Sequence, residues 1–171
     1  MRSRKPGDRH EALERMRRGK DRVKTEELNS AFSRETDPVL KTGMLRIMAA
    51  SSGAERDLIS ALKNDPSFTV RQSAAQELGR YARSPAVVAA LSEALRKDNA
   101  LEVRTACALS LAFSDTPEAD DALDLASKDR APDLRRQAAF SLKRHKSAKA
   151  AAALKRLARD PDASVRSMAK K

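Results

Sequence analysis

Four arginines, Arg71, Arg104, Arg135 and Arg166, stand 33, 31 and 31 residues apart, and an aspartate precedes each by six residues: Asp65, Asp98, Asp129 and Asp160. The surroundings repeat as well. Val70, Val103, Leu134 or Val165 comes just before the arginine. Small residues follow at the third and fourth places: Ala74 and Ala75, Cys107 and Ala108, Ala138 and Ala139, and then Ala169. Leu78, Leu111 and Leu142 occupy the seventh place. A period of this length admits few folds, because each unit is too small to bury its apolar face alone and must stack on the next.

The places before the arginine and three, four and seven beyond it share one face of an α-helix. Each arginine therefore opens a helix with a narrow apolar stripe, and the small residues let a neighbouring helix come close. A second, shorter helix precedes each aspartate, marked by Leu58 with Leu62, Leu91 with Leu95, and Leu154 with Leu157. Its start recurs at Ser52, Ser84, Thr116 and Ser147; Ser84-Pro85 and Thr116-Pro117-Glu118 combine an N-cap with a proline of the first turn. A fainter copy lies upstream, with Lys41 in the arginine's place, Glu35 in the aspartate's, and Met44, Leu45 and Met48 in the stripe. Degraded terminal copies are usual in repeat arrays. The last copy is short of a full second helix, and fraying is expected there.

The recurring "D…VR..AA..L" element resembles the HEAT-repeat family, in particular its short phycobilisome-lyase-like type, over about residues 26–171. The resemblance implies an all-α fold, a right-handed α-solenoid of about four to five helix pairs. It places a degraded first repeat at 26–51 and further repeats at about 52–83, 84–115, 116–146 and 147–171. It also implies that the aspartate lies in the turn between the two helices and that Asp65, Asp98, Asp129 and Asp160 form a hydrogen-bonded ladder with Arg71, Arg104, Arg135 and Arg166. A carboxylate that accepts both arms of a guanidinium suits such a fastener. A catalytic pair would occur once rather than four times.

Little else in the chain carries chemistry. Aromatics make up 3%, tryptophan is absent, and charged residues reach 35%. The lone cysteine, Cys107, falls in the apolar stripe, which marks a small buried side chain rather than a nucleophile. His10 and His145 have no second ligand at metal spacing, and no glycine-rich phosphate loop or Ser/His/Asp set is present. The chain is expected to be no enzyme and to hold no cofactor or metal. With no signal-like apolar start and no membrane-length run, a cytoplasmic location is expected, with the oligomeric state left open.

What does not repeat is where a partner is expected. The resemblance puts the second helices on the concave face, where the places one, five and nine beyond each arginine point away from the stripe. There Leu109, Phe113 and Phe140 form an apolar patch over two repeats, flanked by Arg80, Arg136 and Arg144. The alternative is that these side chains tuck into the packing between repeats. Charge is concentrated at the ends. Residues 1–24 have ten Lys/Arg against four acids, residues 142–171 ten against two, and the remainder is net −3. Residues 1–24 read as a partly flexible basic arm. Arg2, Arg4, Lys5, Arg15, Arg17, Arg18 and Lys20 mark that end, and Lys143, Lys146, Lys149, Lys155 and Arg156 the other. The leading expectation is a scaffold or adaptor for an acidic protein surface or peptide. The alternative is an RNA- or DNA-associated accessory protein that contacts backbone phosphates through the basic ends. A lesser alternative is a lyase-type or enzyme accessory subunit.

Overall fold

The apolar stripes become helices in the computed structural model, which describes residues 5–19, 24–51 and 53–170. Among them are α1 (Pro6–Arg17), α2 (Thr25–Arg34), α3 (Pro38–Met48), α4 (Ala54–Asn64), α5 (Phe68–Leu78), α6 (Pro85–Lys97), α7 (Leu101–Leu111), α8 (Pro117–Ala126), α9 (Pro132–Leu142), α10 (Ala148–Leu157) and α11 (Ala163–Lys170). A 3-10 turn, Gly79–Tyr81, follows α5, and no strand occurs among the described residues. Helices α2 to α11 form five successive pairs. The second helices α3, α5, α7, α9 and α11 pack on one another in order, and α4, α6, α8 and α10 form a second row. The chain is an α-solenoid.

Local signals explain the helix starts. Prolines occupy the first turn of α3, α6, α8 and α9, where a missing N–H leaves no bond unmade. Thr116 and Ser147 accept hydrogen bonds from the Ala119 and Ala150 N–H groups. Ser84 caps α6 without a side-chain bond. The expected cap Ser52 lies outside the described residues, and α4 starts instead after Gly53, whose φ of 80° suits a residue without a Cβ. Packing then follows the stripes: Val70, Ala74, Leu78, Val103, Cys107, Leu111, Ala138 and Leu142 are all 0% exposed.

The repeated aspartates and arginines join each repeat to the next. Nε and Nη2 of Arg71 donate to the Asp98 carboxylate at 2.7 and 2.9 Å, and those of Arg135 donate to Asp160 at 2.8 and 2.8 Å. Each arginine's Nη1 meanwhile donates to the carbonyl of its own repeat's aspartate, Asp65, Asp98, Asp129 or Asp160. The carboxylates are fixed from the other side. Oδ1 of Asp65, Asp98, Asp129 and Asp160 accepts the N–H of the residue two places on. Lys41 takes the arginine's part toward Asp65. The Arg104–Asp129 rung is loose: the closest approach is 3.9 Å, and the buried Nε of Arg104 has no partner.

A second set of straps runs beside this ladder. Ser110 and Ser141, each six residues beyond its arginine, donate to the Ala75 and Ala108 carbonyls of the preceding second helix, both at 2.8 Å. Tyr81 donates to the Ala49 carbonyl at 2.7 Å. Ser110 also packs where a Cβ on Gly79 would stand, within 3.1 Å.

The N-terminal segment differs from the basic arm expected over residues 1–24. Residues 6–17 form α1, which packs on α3 with Leu13 buried. A Cβ on Gly43 would meet the tip of the Leu13 side chain, which packs there against α3. Arg9 donates through Nε to Glu35 at 2.9 Å, while Glu35 accepts from the Thr36 and Asp37 N–H groups. This is one more rung, and α1 behaves as the second helix of a half-repeat. Arg9, Ala12, Leu13 and Met16 reproduce the spacing of the arginine with its third, fourth and seventh places.

Three outcomes follow from this packing. Arg135→Gln removes a two-armed, mostly buried clasp and should destabilise the chain by about 2 kcal/mol. Arg104→Gln should cost about 1 kcal/mol less, because its carboxylate is barely engaged; urea unfolding of both variants measures the difference. Burial alone would raise the Asp98 carboxyl, but the Arg71 bonds, the Ala100 N–H and the charges of Arg71 and Arg104 hold it below its ordinary range. The Arg135 bond, against burial, does the same for Asp160. The unfolded chain then binds more protons than the folded one at acid pH, so stability rises with pH there. It should be full above about pH 5 and fall as the pH drops below the ordinary aspartate value of 3.8, which thermal melts between pH 7 and pH 2.5 would show. In the third, Leu13→Asp should abolish hydrogen-exchange protection of residues 9–17 and leave α5 to α9 protected. Loss of protection throughout would mean that α1 is essential to the stack.

Candidate partner-binding surface

Residues of the second helices one, five and nine places beyond the arginine point out of the stack, and their exposure follows that geometry. At the five- and nine-place positions, the latter in the turns just after each helix, Arg46, Gln76, Phe140, Ala50, Arg80, Phe113 and Arg144 are exposed and Leu109 is half-buried; one place beyond the arginine Arg136 is exposed, whereas Thr42, Gln72 and Thr105 are half-buried. Phe113 and Phe140 keep 53% and 42% of their surface in water, whereas the stripe on the opposite side of the same helices is sealed. The packing alternative therefore applies in part to Leu109 and to neither phenylalanine. The Ser141 bond to the Ala108 carbonyl fixes α9 against α7 one residue from Phe140 and one from Leu109.

The cations around this patch differ in how they are held. The Arg144 guanidinium lies over the Phe113 ring at 5.0 Å, and its Nε donates to the Ala112 carbonyl at 3.3 Å. This orients both groups while leaving the ring edge in water. Arg80 and Arg136 pair with Glu77 at 3.3 Å and Asp133 at 3.1 Å, on their own helical segments. Such exposed pairs hold by well under 1 kcal/mol and are easily exchanged for a partner's carboxylate. Sequence reasoning did not single out the other exposed apolar residues, Val39, Phe68 and Leu125, which stand on separate helices.

The basic ends are less free than their count implies. Arg2, Arg4 and Lys20 lie outside the described residues. Lys5 and Arg15 are exposed, and Arg17 and Arg18 approach Glu14 at 3.1 and 3.9 Å. At the other end Lys149 pairs with Asp121, Arg156 with Asp124 at 2.7 Å, and Lys143 donates to the Met168 carbonyl at 3.4 Å. Lys146 and Lys155 extend into water. Helix α10 thus spends part of its charge on the acidic face of α8, one repeat away. The pairing is hidden in the sequence because its members stand 28 and 32 residues apart.

A cleft of about 410 Å³ runs along the ladder between α4 and α6, lined by Lys63, Asp65, Arg71, Glu93, Lys97 and Asp98. Each of these charges is already paired: Lys63 and Lys97 with Glu93, Arg71 with Asp98, Lys41 with Asp65. The cleft therefore offers structural ion pairs and no unengaged acid or base. Burial pushes the Cys107 thiol far up, assisted by the charge of Asp98, so the sulfur stays a protonated filler. His145 is a cap: Nδ1 faces Asp120 at 2.6 Å and Nε2 the Leu111 carbonyl at 3.2 Å. Among the described residues no group of three His, Cys, Asp or Glu is placed to hold a metal, and no helix is long and apolar enough to cross a membrane.

Known proteins agree with this architecture. A family model of HEAT repeats matches residues 55–125. No curated protein matches the chain. A chain of the CpcE and CpcF complex of phycocyanin lyase from Nostoc sp. PCC7120 is similar with a TM-score of 0.69 at 19% identity, over 85% of this chain and 95% of that one. The Escherichia coli protein YibA is similar with a TM-score of 0.60 at 18% identity; the alignment covers 99% of this chain and 62% of the length of YibA. At these identities the likeness is one of fold. Residues 55–125 thus match HEAT repeats, and the fold of the chain resembles that of HEAT-repeat solenoids.

Proposed function

We propose that the chain is a non-catalytic scaffold that holds an acidic protein partner on the outward face of α7 and α9. The observation that carries this reading is the exposure of Phe113 and Phe140 beside Arg136 and Arg144; the other exposed large apolar residues, Val39, Phe68 and Leu125, stand singly on separate helices. Aromatic anchors within a cationic rim suit a segment that alternates apolar and acidic side chains. The likeness to a two-chain complex supports a protein partner in general terms. Backbone-phosphate binding through the basic ends draws less support, since Lys149 and Arg156 already face Asp121 and Asp124. A lyase-type accessory role rests on the fold alone, and folds do not transfer activities.

Capture from the native host with and without nuclease, read by mass spectrometry, tests the proposal. A protein partner should survive nuclease and be lost with Phe140→Glu. That variant should keep its folding stability to within about 0.5 kcal/mol, as surface changes do. Capture that nuclease abolishes, or that falls steeply with salt, would assign the chain to nucleic acid instead. Unfolding of the Phe140→Glu variant would return Phe140 to the core.

A further inference from the structure

The cleft along the ladder between α4 and α6 has a counterpart one repeat earlier, between α2 and α4. This earlier cleft measures about 340 Å³, and Phe32, Met48 and Ala61 give it apolar walls. Its charges differ from those of the later one. There Glu93 is met by Lys63 at 3.0 Å and by Lys97 at 3.3 Å. The residues 33 places before Glu93 and Lys97 are Ser60 and Asn64, which are neutral. The residue 33 places before Ala90, which lines the later cleft, is Asp57, which lines the earlier one. The ion pairs that fill the later cleft are thus absent where a carboxylate has been added.

Asn29 and Asp57 supply the polar side of this cleft. Asn29 Nδ2 donates to the Asp57 carboxylate at 2.6 Å. A carboxylate only accepts, so this bond fixes the amide and turns its oxygen away from Asp57. Asn29 Oδ1 is buried and meets no donor among the described residues. Asp57 makes no ion pair among them either. The cations of the surrounding helices are engaged elsewhere. Lys41 pairs with Asp65 and lies over the Phe32 ring at 4.5 Å, Lys63 faces Glu93, and Arg34 turns back to the Ser30 carbonyl. Two acceptors, one of them charged, therefore line a partly apolar cleft without a donor to meet them, and a buried acceptor left unbonded is costly.

We propose that the cleft between α2 and α4 binds an alkylammonium group, carried by a lysine side chain of another protein or by a free polyamine. The ammonium donates to Asn29 Oδ1 and to the Asp57 oxygen that Asn29 leaves free, while its methylene stem lies along Phe32 and Met48. An ammonium has three donors and one positive charge, so it satisfies both acceptors at once. A neutral hydroxyl leaves the charge of Asp57 uncompensated, and an anion is repelled by it. A methylene stem on apolar walls with its charged head at a polar end is the usual posture of such a chain. The cleft is separate from the face of α7 and α9, so either assignment can fail without the other.

The side-chain amide resonance of Asn29 in the full, isotope-labelled chain tests the proposal, identified by its loss in Asn29→Ala. The probes are spermidine and a capped Gly-Lys-Gly peptide, added at physiological ionic strength, with a capped Gly-norleucine-Gly peptide as control. At least one amine should move the signal at millimolar concentration, and the tighter of the two identifies the source. The norleucine peptide should leave it in place. Asp57→Asn should weaken binding at least about tenfold, as loss of a charged hydrogen-bond partner does, and should melt close to the wild-type temperature. Ser60 is exposed at the mouth of the cleft and away from the polar pair in sequence, so Ser60→Phe should also block binding without unfolding the chain. No movement with either amine, equal movement with the norleucine peptide, or undiminished binding in both Asp57→Asn and Ser60→Phe overturns the proposal.

Discussion

The bond between an arginine of one repeat and the carboxylate of the next holds this chain in order. Apolar burial drives the repeats together but is not directional, and stripes of alanine and leucine tolerate sliding along one another. A guanidinium gripping a carboxylate with two arms does not tolerate it, since both partners are themselves tied to the backbone. Asp98 is fixed by the Ala100 N–H, and Arg71 by the Asp65 and Pro66 carbonyls. Each clasp thus sets the register of a helix pair on its neighbour, and the small residues of the stripe need that register to interlock. The carboxylates are buried enough that breaking one partner leaves the other in poor company. Serine bonds at 2.8 Å to the preceding helix repeat the same logic on the far side of the stripe.

Most of this architecture is legible in the sequence because it is periodic. The four aspartates, their arginines and the alanines between them locate the turns, the second helices and the ladder, since one spacing repeated several times is hard to produce otherwise. The N-terminal half-repeat was missed for a physical reason. Arg9 with Ala12, Leu13 and Met16 follows the template, but Asp8 stands where the others have valine or leucine, and no aspartate precedes it by six residues. Asp8 is exposed, so the place that the other repeats fill with a buried apolar residue carries no hydrophobic signal here. Gly43 was equally silent, because its role depends on a side chain thirty residues away.

The candidate surface was legible only in outline. Helical geometry tells which residues point outward, and it correctly separates Phe113 and Phe140 from the stripe. It does not tell that Arg144 covers Phe113, that Leu109 is half sunk, or that Lys149 and Arg156 are engaged by α8. Those facts arise from side chains of adjacent repeats, whose sequence separation carries no local signature. Net charge misleads for the same reason. A run of lysines and arginines on α10 looks like a field for phosphates until the acids of α8 are placed beside it.

The loosest rung lies beneath the candidate surface. Arg104 belongs to α7 and Asp129 precedes α9, and between them the two-armed clasp seen for Arg71 on Asp98 and Arg135 on Asp160 is replaced by a 3.9 Å approach and an unpartnered Nε. The same junction is strapped elsewhere by Ser141 to Ala108, Arg144 to Ala112 and His145 to the Leu111 carbonyl. All of these engage the C-terminal part of α9 and the turn after it, whereas the clasp acts at the N-terminal ends of α7 and α9. Toward α7, helix α9 is therefore held mainly at its C-terminal end near Phe140, while its N-terminal end is clasped toward the next repeat by Arg135 on Asp160. A partner that seats against Phe113 and Phe140 meets a platform already tied to the preceding repeat.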